Sequence, residues 1–423
     1  MRFTEKVFPS GLRLITVPMA DNPTVTVLVL TGTGSEFETK DVNGISHFLE
    51  HLCFKGTTNR PTSIAISTEF DRIGAESNAF TGEEYTGYYA KADARHYAKI
   101  LDVVSDVFLN PTFPEAEIEK ERGVVIGEIE SYEDMPQKTV PDVLNNLLYG
   151  DQPAGRTILG ERENIRRFTR EDFVTYRRKH YVAETTVIIV AGGIDEDVVA
   201  RDIEKIFVGI SRTPRPDERR TIEEQRKSEL AFLEKKTSQS HLMFGWRSYP
   251  LGDERVPTME VLSGVLSAGM SSRLFQRIRE ELGLGYYVYA SNALFSNHGY
   301  LGIHLGVDNG RVEEAVAAII NEVRLLKNDL VSFDELEKVK GCLTGSMFLE
   351  LESSDHIALF YGTRAVLRQP LLTPQEWEER IRGVTAEDIM RVAEDIFVDA
   401  KTNLALIGPH QDKEKLAMRL LME

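Results

Sequence analysis

Hydrophobic and polar positions along the chain follow patterns that predict short strands and amphipathic helices in succession. Strands are predicted where apolar residues alternate or run together between turn residues, at Val7–Phe8, Leu12–Val17, Val25–Leu30, Ser77–Phe80, Tyr85–Lys91 and Val187–Ala191. Helices are predicted where apolar residues recur at helical spacing between capping and breaking residues, at 45–56, 63–74, 97–109, 114–136 and from Thr169 onward. This mixture of elements predicts the α+β fold class.

The second half of the chain repeats the pattern of the first. Residues 334–341 resemble 116–123, and residues 385–389 and 402–408 resemble 169–173 and 186–192. A period of half the chain indicates a duplicated domain rather than a solenoid. We therefore predict two homologous domains, 1–210 and 229–423, each a mostly antiparallel sheet packed with helices. Residues 211–228 are predicted to be a linker, because they carry two prolines, many charges and Ile222 as their one large aliphatic residue.

Charge and composition exclude several classes of protein. Lys and Arg number 50 and Asp and Glu 67, and a net charge of −17 repels phosphate backbones, so no nucleic-acid partner is expected. No stretch reaches the ~18–20 apolar residues that span a bilayer, and the first residues lack the apolar segment of a secretory signal, so no membrane partner is expected. Two cysteines, Cys53 and Cys342, exclude a disulfide framework and indicate a reducing cytoplasm.

A pair of histidines on the helix predicted at residue 45 carries the clearest chemical signal. His47 and His51 are four residues apart, so their imidazoles lie one turn apart on the same face and can reach one zinc ion. Glu50 lies between them, beside the ion but free to hold a water molecule. This H-x-x-E-H order is the known inverted zinc-peptidase motif.

Two glutamates on the long charged helix are candidates to complete a metal site. Glu121 and Glu128 are seven residues apart and therefore face the same way, so one could be the third ligand and the other its support. The alternative is a solvated charged helix face. In the repeat, Val339 and Ser346 stand at the corresponding positions, and the second half has no H-x-x-E-H. Confinement of all these residues to one half indicates one shared site.

These motifs together resemble the M16 zinc peptidases, which include the pitrilysin, insulin-degrading and mitochondrial processing enzymes. The resemblance rests on the runs GISHFLEH from 44, FKGT from 54, NAFT from 78, ERGVVIGEI from 121 and GRTILG from 155, and it extends over essentially the whole chain. The chain is most similar to the short, bacterial type of processing peptidase.

The resemblance implies a role for each residue of the first-half motifs. It makes His47, His51 and Glu128 the zinc ligands, Glu50 the general base and Glu121 a supporting residue near the metal. It also implies that Asn78 and Ala79 lie on an edge strand that pairs with an extended peptide, and that Phe54 lines the pocket for the side chain after the cut. Plain helix-face packing is the alternative for Phe54.

In the second half, the run from Ser271 to Tyr286 resembles the region that holds the family's arginine and tyrosine pair. This assigns Arg279 to a substrate carbonyl and Tyr286 to the developing oxyanion. The alternative for Arg279 is a surface ion pair with Glu280 or Glu281.

The expected activity is zinc-dependent hydrolysis of short or unfolded peptides in an enclosed chamber, by metal-activated water with Glu50 as the base. Because one chain carries both the metal motif and the Arg279–Tyr286 pair, a homodimer is expected. Two alternatives remain: an inactive or scaffold member of the family, and the catalytic subunit of a heterodimer.

Overall fold

The computed structural model describes residues 2–215, 220–409 and 420, which form two sheets and their helices. The elements of the first half, in chain order, are β1 (Thr4–Val7), β2 (Arg13–Pro18), β3 (Thr24–Thr31), α1 (Ile45–Cys53), α2 (Ser63–Asp71), β4 (Glu76–Thr81), β5 (Thr86–Asp93), α3 (Tyr97–Leu109), α4 (Glu115–Glu133), α5 (Pro136–Tyr149), α6 (Arg162–Arg167), α7 (Arg170–His180), β6 (Thr186–Gly192) and α8 (Glu196–Ile206). Those of the second half are β7 (Glu229–Glu234), β8 (Gln239–Arg247), α9 (Val256–Ser267), β9 (Gly285–Leu294), β10 (Gly299–Asp308), α10 (Val312–Asn328), α11 (Phe333–Glu350), α12 (Ser354–Val366), α13 (Pro374–Gly383), α14 (Ala386–Ile396) and β11 (Thr402–Gly408).

The first sheet has six strands in the order β1-β2-β6-β3-β5-β4. Only β2 and β6 pair in parallel; the other neighbours are antiparallel. Strands β3 and β6 are buried almost throughout and form the centre of the core. Strand β4 is at one edge, so one side of its backbone is not used by the sheet.

The second sheet has five strands in the order β7-β11-β8-β10-β9, and again one pair, β7 with β11, is parallel. Its core is formed with α9, α10 and α14. The strand order is that of β2-β6-β3-β5-β4 in the first sheet, which confirms the prediction of a duplicated α+β domain with mostly antiparallel sheets.

Matching helix starts repeat the same local chemistry in both halves. Thr169 and Asp172 at α7 exchange hydrogen bonds between side chain and backbone, and Thr385 and Asp388 do the same at α14. Each is a capping box, which satisfies backbone N–H groups that a helix start otherwise leaves without partners.

The compact units of the structure are not the contiguous ranges 1–210 and 229–423. The described residues of one unit lie within 1–130, 157–219 and 349–373, and those of the other lie within 131–156, 220–348 and 374–423. Helix α5 thus belongs with the second sheet, where Leu144 packs against Gly245 of β8. Helix α12 belongs with the first sheet, where Gly362 meets Leu30 and Ile189. An apolar face does not specify which sheet a helix covers. The sequence pattern therefore did not predict this exchange, in which each half of the chain contributes one helix to the sheet of the other half.

The predicted linker 211–228 is anchored by hydrogen bonds on both sides of residues 216–219, which lie outside the described residues. The backbone N–H of Arg215 donates to Glu184 of the first unit. On the other side, the N–H of Ile222 donates to Gln152, and the amide of Gln225 donates to the carbonyl of Thr402, all in the second unit.

Two further expectations concern membranes and cysteines. Among the described residues, no helix combines the length and the apolar character that crossing a bilayer requires. Cys53 and Cys342 are both free thiols.

Candidate metal centre

Helix α1 carries the two histidines, and its own position is fixed at its start and along its apolar face. It begins after Gly44, whose φ of 97° is a left-handed conformation that glycine adopts without strain. Its other face is apolar, and Phe48, Leu49 and Leu52 are fully buried. Burial of that face fixes the rotation of the helix, so His47 and His51 project together on the opposite side.

The structure brings Glu128 of α4 to the two histidines. The Nε2 atoms of His47 and His51 lie 3.2 Å apart, and the Oε2 atom of Glu128 is 3.6 Å from each of them. Among the described residues, these three form the one cluster of His, Cys, Asp or Glu whose ligand atoms all lie within 4.8 Å of one another. Of the two glutamates that spacing left open, Glu128 is the one that faces both histidines.

The donor set fits zinc. Two imidazole nitrogens and one carboxylate oxygen are common ligands of catalytic zinc, which keeps a fourth position open. With zinc–ligand bonds of about 2.0–2.1 Å, tetrahedral ligand atoms lie about 3.3–3.4 Å apart, close to the spacing observed here. Burial, and then the neighbouring His51, lower the pKa of His47 to about 3. Its imidazole is therefore neutral at pH 7, the form that binds metals.

Glu121 contacts His51 at Nδ1, the ring nitrogen that does not face the cluster. The Nδ1 atom of His51 lies 2.9 Å from Oε1 of Glu121, and the Nζ atom of Lys55 lies 2.7 Å from Oε2. Burial alone would raise the pKa of Glu121, but the hydrogen bonds from His51 and Lys55 outweigh it and the pKa lies below its usual value. The charged carboxylate thus accepts a hydrogen bond from the Nδ1–H group and leaves Nε2 of His51 to face the cluster.

The same contacts shift the pKa of His51. Burial lowers it, but the hydrogen bond to Glu121 and the charge of Glu50 outweigh burial, so the net shift is upward. A metal ion therefore competes with a proton for Nε2 of this residue.

Glu50 lies on the same helix with its carboxylate held by the edge strand. The hydroxyl of Thr81, the last residue of β4, donates to Oε2 of Glu50 over 2.7 Å. Burial raises the pKa of Glu50 above its ordinary value, against the hydrogen bond from Thr81, which lowers it. A partly buried carboxylate of raised pKa is typical of groups that accept and return protons in catalysis.

A buried carboxylate holds the start of α1. Glu38 accepts hydrogen bonds of 2.8 Å from the backbone N–H groups of Gly44 and Ser46 and one of 3.0 Å from the side chain of Asn43. Burial raises the pKa of Glu38 to about 7, against the lowering effect of these hydrogen bonds. The contacts satisfy helix-start donors that would otherwise be buried without partners.

The predicted substrate-binding residues lie near this helix or at the sheet edge. Asn78 and Ala79 are on β4, the edge strand, paired on one side with Tyr89 and Tyr88 of β5. Phe54 directly follows α1, half-buried, with its ring centroid 6.1 Å from that of Tyr88. Peptide pairing at β4 and a pocket at Phe54 stay predictions.

Arg279 and Tyr286 belong to the second unit. Arg279 lies in a π-helical turn, Phe275–Glu281, with its guanidinium 4.9 Å from the ring centroid of Phe275 and 4.0 Å from a carboxylate oxygen of Glu280. Tyr286 is 82% exposed near the start of the edge strand β9. Their roles toward a substrate stay predictions.

Three residues of the site were missed by sequence reasoning: Lys55, Thr81 and Glu38. Lys55 and Thr81 lie within motifs that carried the family resemblance, so a signal was present but no role could be read from it. Glu38 lies six residues before Gly44, and no spacing rule connects it with the helix that it caps.

Comparisons with known proteins identify a family and relatives that this chain is similar to. A family model described as insulinase (peptidase family M16) matches residues 13–162, and one described as peptidase M16 inactive domain matches residues 167–342. A Bacillus subtilis protein described as the uncharacterized zinc protease YmxG is 36% identical, over 95% of this chain and 97% of its own length. An uncharacterized zinc protease of Streptomyces coelicolor is 32% identical, over 96% of this chain and 89% of its own.

Two solved structures share the fold. A protease from Helicobacter pylori superimposes with a TM-score of 0.89 at 21% identity, over 96% of this chain and 99% of that one. A peptidase M16 inactive domain from Pseudomonas fluorescens gives a TM-score of 0.90 at 18% identity, over 98% and 100%. With two family models matching most of its length and relatives above 30% identity covering nearly all of it, this chain belongs to the M16 peptidase family.

Proposed function

We propose that the protein is a zinc-dependent endopeptidase acting on short or unfolded peptides. The observation that carries the proposal is the convergence of His47, His51 and Glu128 within coordination distance, with Glu50 beside them on the same helix. Relatives described as zinc proteases support the choice of metal.

In this proposal His47, His51 and Glu128 hold the zinc ion, and Glu121 orients His51. A zinc ion bound there would supply Lewis-acid chemistry, which lowers the pKa of a water molecule to about 7. Glu50 accepts the proton of the attacking water and returns it to the leaving amine.

The edge strand supports the proposed substrate class. A peptide pairs with β4 only when its backbone is extended, since strand addition uses main-chain hydrogen bonds. Asn78 and Ala79 would provide these bonds, and Phe54 would contact the side chain after the cut. Arg279 and Tyr286 would bind the carbonyl of the scissile bond and its developing negative charge.

Replacement of Glu50 tests the catalytic role. Glu50→Gln should keep its zinc, because Glu50 is not a ligand, but cleave an unstructured peptide at least about 100-fold more slowly, the usual cost of losing general-base catalysis. Metal analysis and peptide cleavage measure the two effects. Glu163→Gln, an exposed surface carboxylate of α6, is the control and should cleave at the wild-type rate. Equal rates for wild type and Glu50→Gln would exclude Glu50 as the base.

We further propose that the protein is cytoplasmic, since both cysteines are free thiols. We also propose a homodimer, since one chain carries both the metal motif and the Arg279–Tyr286 pair. The purified protein should have a native mass of about twice 47.8 kDa. Activity that appears only after addition of a different chain would identify a heterodimer subunit. Zinc binding without cleavage of any unstructured peptide would identify an inactive member of the family.

A further inference from the structure

The hydroxyl of Thr81 is the one hydrogen-bond donor that reaches the Glu50 carboxylate within the part of the chain that the structure describes. The contact joins the end of β4 to the middle of α1, and the donor lies two residues after Ala79. A single donor holds a carboxylate only as firmly as the donor itself is held, and without that donor the rotation of the carboxylate is limited only by packing.

A second connection joins the hairpin of β4 and β5 to the segment before α1. The carbonyls of Gly82 and Glu83, in the turn after β4, accept hydrogen bonds from the backbone N–H groups of Ser35 and Glu36. The segment of Ser35 and Glu36 continues to Glu38, which caps α1. A Cβ atom on Gly34 would lie 2.2 Å from the carbonyl oxygen of Gly82, so this loop and turn pack in direct contact.

We propose that Thr81 is a positioning residue that aligns Glu50 and couples its alignment to the pairing of a peptide with β4. The inference rests on the proposed function, because it concerns the same base and the same strand. An extended peptide that pairs with Asn78 and Ala79 restricts the strand immediately before Thr81. Restricting that strand also restricts the hydroxyl that holds Glu50, so part of the binding free energy of the peptide is used to align the base.

Substitution of Thr81 separates this role from a structural one. Thr81→Val keeps the shape of the side chain but removes the donor, and should lower kcat by roughly 10- to 100-fold, a part of the contribution of a general base. KM should stay within about twofold, because the edge of β4 is unchanged. Thr81→Ser restores the hydroxyl and should restore kcat to within about threefold of wild type.

A matched control is available on α7. The hydroxyl of Thr175 donates to Glu171 over 3.1 Å at the surface, so Thr175→Val removes the same kind of hydrogen bond away from Glu50. This variant should have wild-type kcat and KM. Zinc content and thermal unfolding of all variants should match wild type, which shows that loss of kcat does not come from loss of metal or of the fold.

The coupling between peptide pairing at β4 and the alignment of Glu50 is tested with two peptides that share one cleavage sequence. One of them is shortened so that it lacks the residues that pair with β4. In wild type the shortened peptide should lose kcat as well as affinity. In Thr81→Val the loss of kcat on shortening should be at least about threefold smaller, because the alignment is already lost.

The proposal would be overturned by wild-type kcat in Thr81→Val, by failure of Thr81→Ser to improve on Thr81→Val, or by equal effects of shortening in both proteins. Loss of zinc from Thr81→Val would also overturn it, because Thr81 would then act on the metal site. These results differ from a failure of the proposed function itself, in which the zinc-loaded wild type cleaves neither peptide.

Discussion

At the scale of single residues, the site depends on pairs in which one side chain fixes the state of another. The carboxylate of Glu121 orients His51, and Lys55 keeps that carboxylate charged. Glu121→Gln should therefore bind zinc about 10- to 100-fold more weakly without loss of a ligand, as is usual for partners of ligating histidines. Competition with a chelator measures the affinity.

Glu130 provides the control for this prediction, because it is an exposed carboxylate on the same helix. Glu130→Gln should bind zinc as the wild type does. Equal affinity of Glu121→Gln and wild type would show that His51 is oriented without Glu121.

A buried histidine away from the metal site should make stability depend on pH. The ring of His180 stacks on Tyr176, its Nδ1 atom lies 2.8 Å from the hydroxyl of Thr33, and burial lowers its pKa to about 4. In the unfolded chain the usual pKa is about 6.5. Protonation therefore favours the unfolded state, and the contribution of His180 is complete above pH 6.5 and is lost as the pH falls toward 4.

Between pH 7.5 and pH 5 this loss amounts to about 2 kcal/mol in the free energy of unfolding. His180→Asn cannot titrate in this range, so its stability should fall less over the same interval by about that amount. Urea unfolding of the zinc-free proteins at the two pH values measures the difference. Parallel pH profiles for wild type and variant would contradict a buried, neutral His180.

At the scale of elements, the start of α1 depends on a close approach of two glycines. A Cβ atom on Gly44 would lie 2.8 Å from the Cα atom of Gly160, and its φ of 97° is unfavourable for any other residue. Gly44→Ala should therefore lower the free energy of unfolding by at least about 2 kcal/mol and weaken zinc binding, since α1 carries both histidines. Denaturant unfolding and zinc titration are the measurements.

Gly123→Ala is the opposite case and serves as the control. Gly123 is inside α4, where a Cβ atom meets nothing within 4 Å. The substitution should raise stability by about 0.5–1 kcal/mol, because glycine is a poor helix former. A similar loss of stability in both variants would show that α1 does not depend on the close approach at Gly44.

Elements were predictable from the sequence to the extent that local chemistry defines them. The capping boxes at Thr169 and Thr385 and the paired strands on either side of Thr81 were recognisable, because capping and turn preferences act between near neighbours. Helix α5 was missed altogether: the predicted helix stopped at Pro136, where the structure has a new helix starting with that proline.

The prediction of the candidate site succeeded where near neighbours in the sequence determine the geometry. It failed where the geometry depends on packing between elements. His47 and His51 are fixed by helix periodicity, and the family resemblance named Glu128 as the third ligand. Spacing alone did not separate Glu128 from Glu121, because that choice depends on the packing of α4. The contacts of Thr81 and Glu38 with α1 depend on how the hairpin turn packs on the loop before the helix. No periodicity in the sequence specifies such packing.

At the scale of the whole molecule, the two halves share an arrangement of strands and helices but differ in the side chains at the positions of the candidate metal site. Arg122 of α4 donates to the carbonyl of Phe168, and Lys340 of α11 donates to the carbonyl of Arg382, so each donor reaches the segment before a capping box. Val339, which stands in place of Glu121, is instead buried against Gly264. Each long helix is therefore hydrogen-bonded to the segment that precedes a capping box, while the cluster of His47, His51 and Glu128 lies in the first unit.

The exchange of helices predicts that the first half cannot fold alone. A fragment of residues 1–210 contains the six strands of the first sheet but lacks α12, which covers β3 and β6. Apolar side chains such as Leu30 and Ile189 would then be exposed to water at a cost of about 25 cal/mol for each Å². The fragment should show no cooperative thermal transition in circular dichroism.

Addition of a synthetic peptide of residues 349–373 should restore a cooperative transition, because the peptide supplies α12 to the exposed face. A peptide with Gly362→Val is the matched control: a Cβ atom at this position lies 2.8–2.9 Å from the side chains of Leu30 and Ile189, so the larger side chain prevents close packing. Cooperative unfolding of the fragment alone, or equal rescue by both peptides, would show that the sheet does not need α12. Residues 1–210 would then be able to fold by themselves. Helix α12 would contribute packing but would not be required for folding.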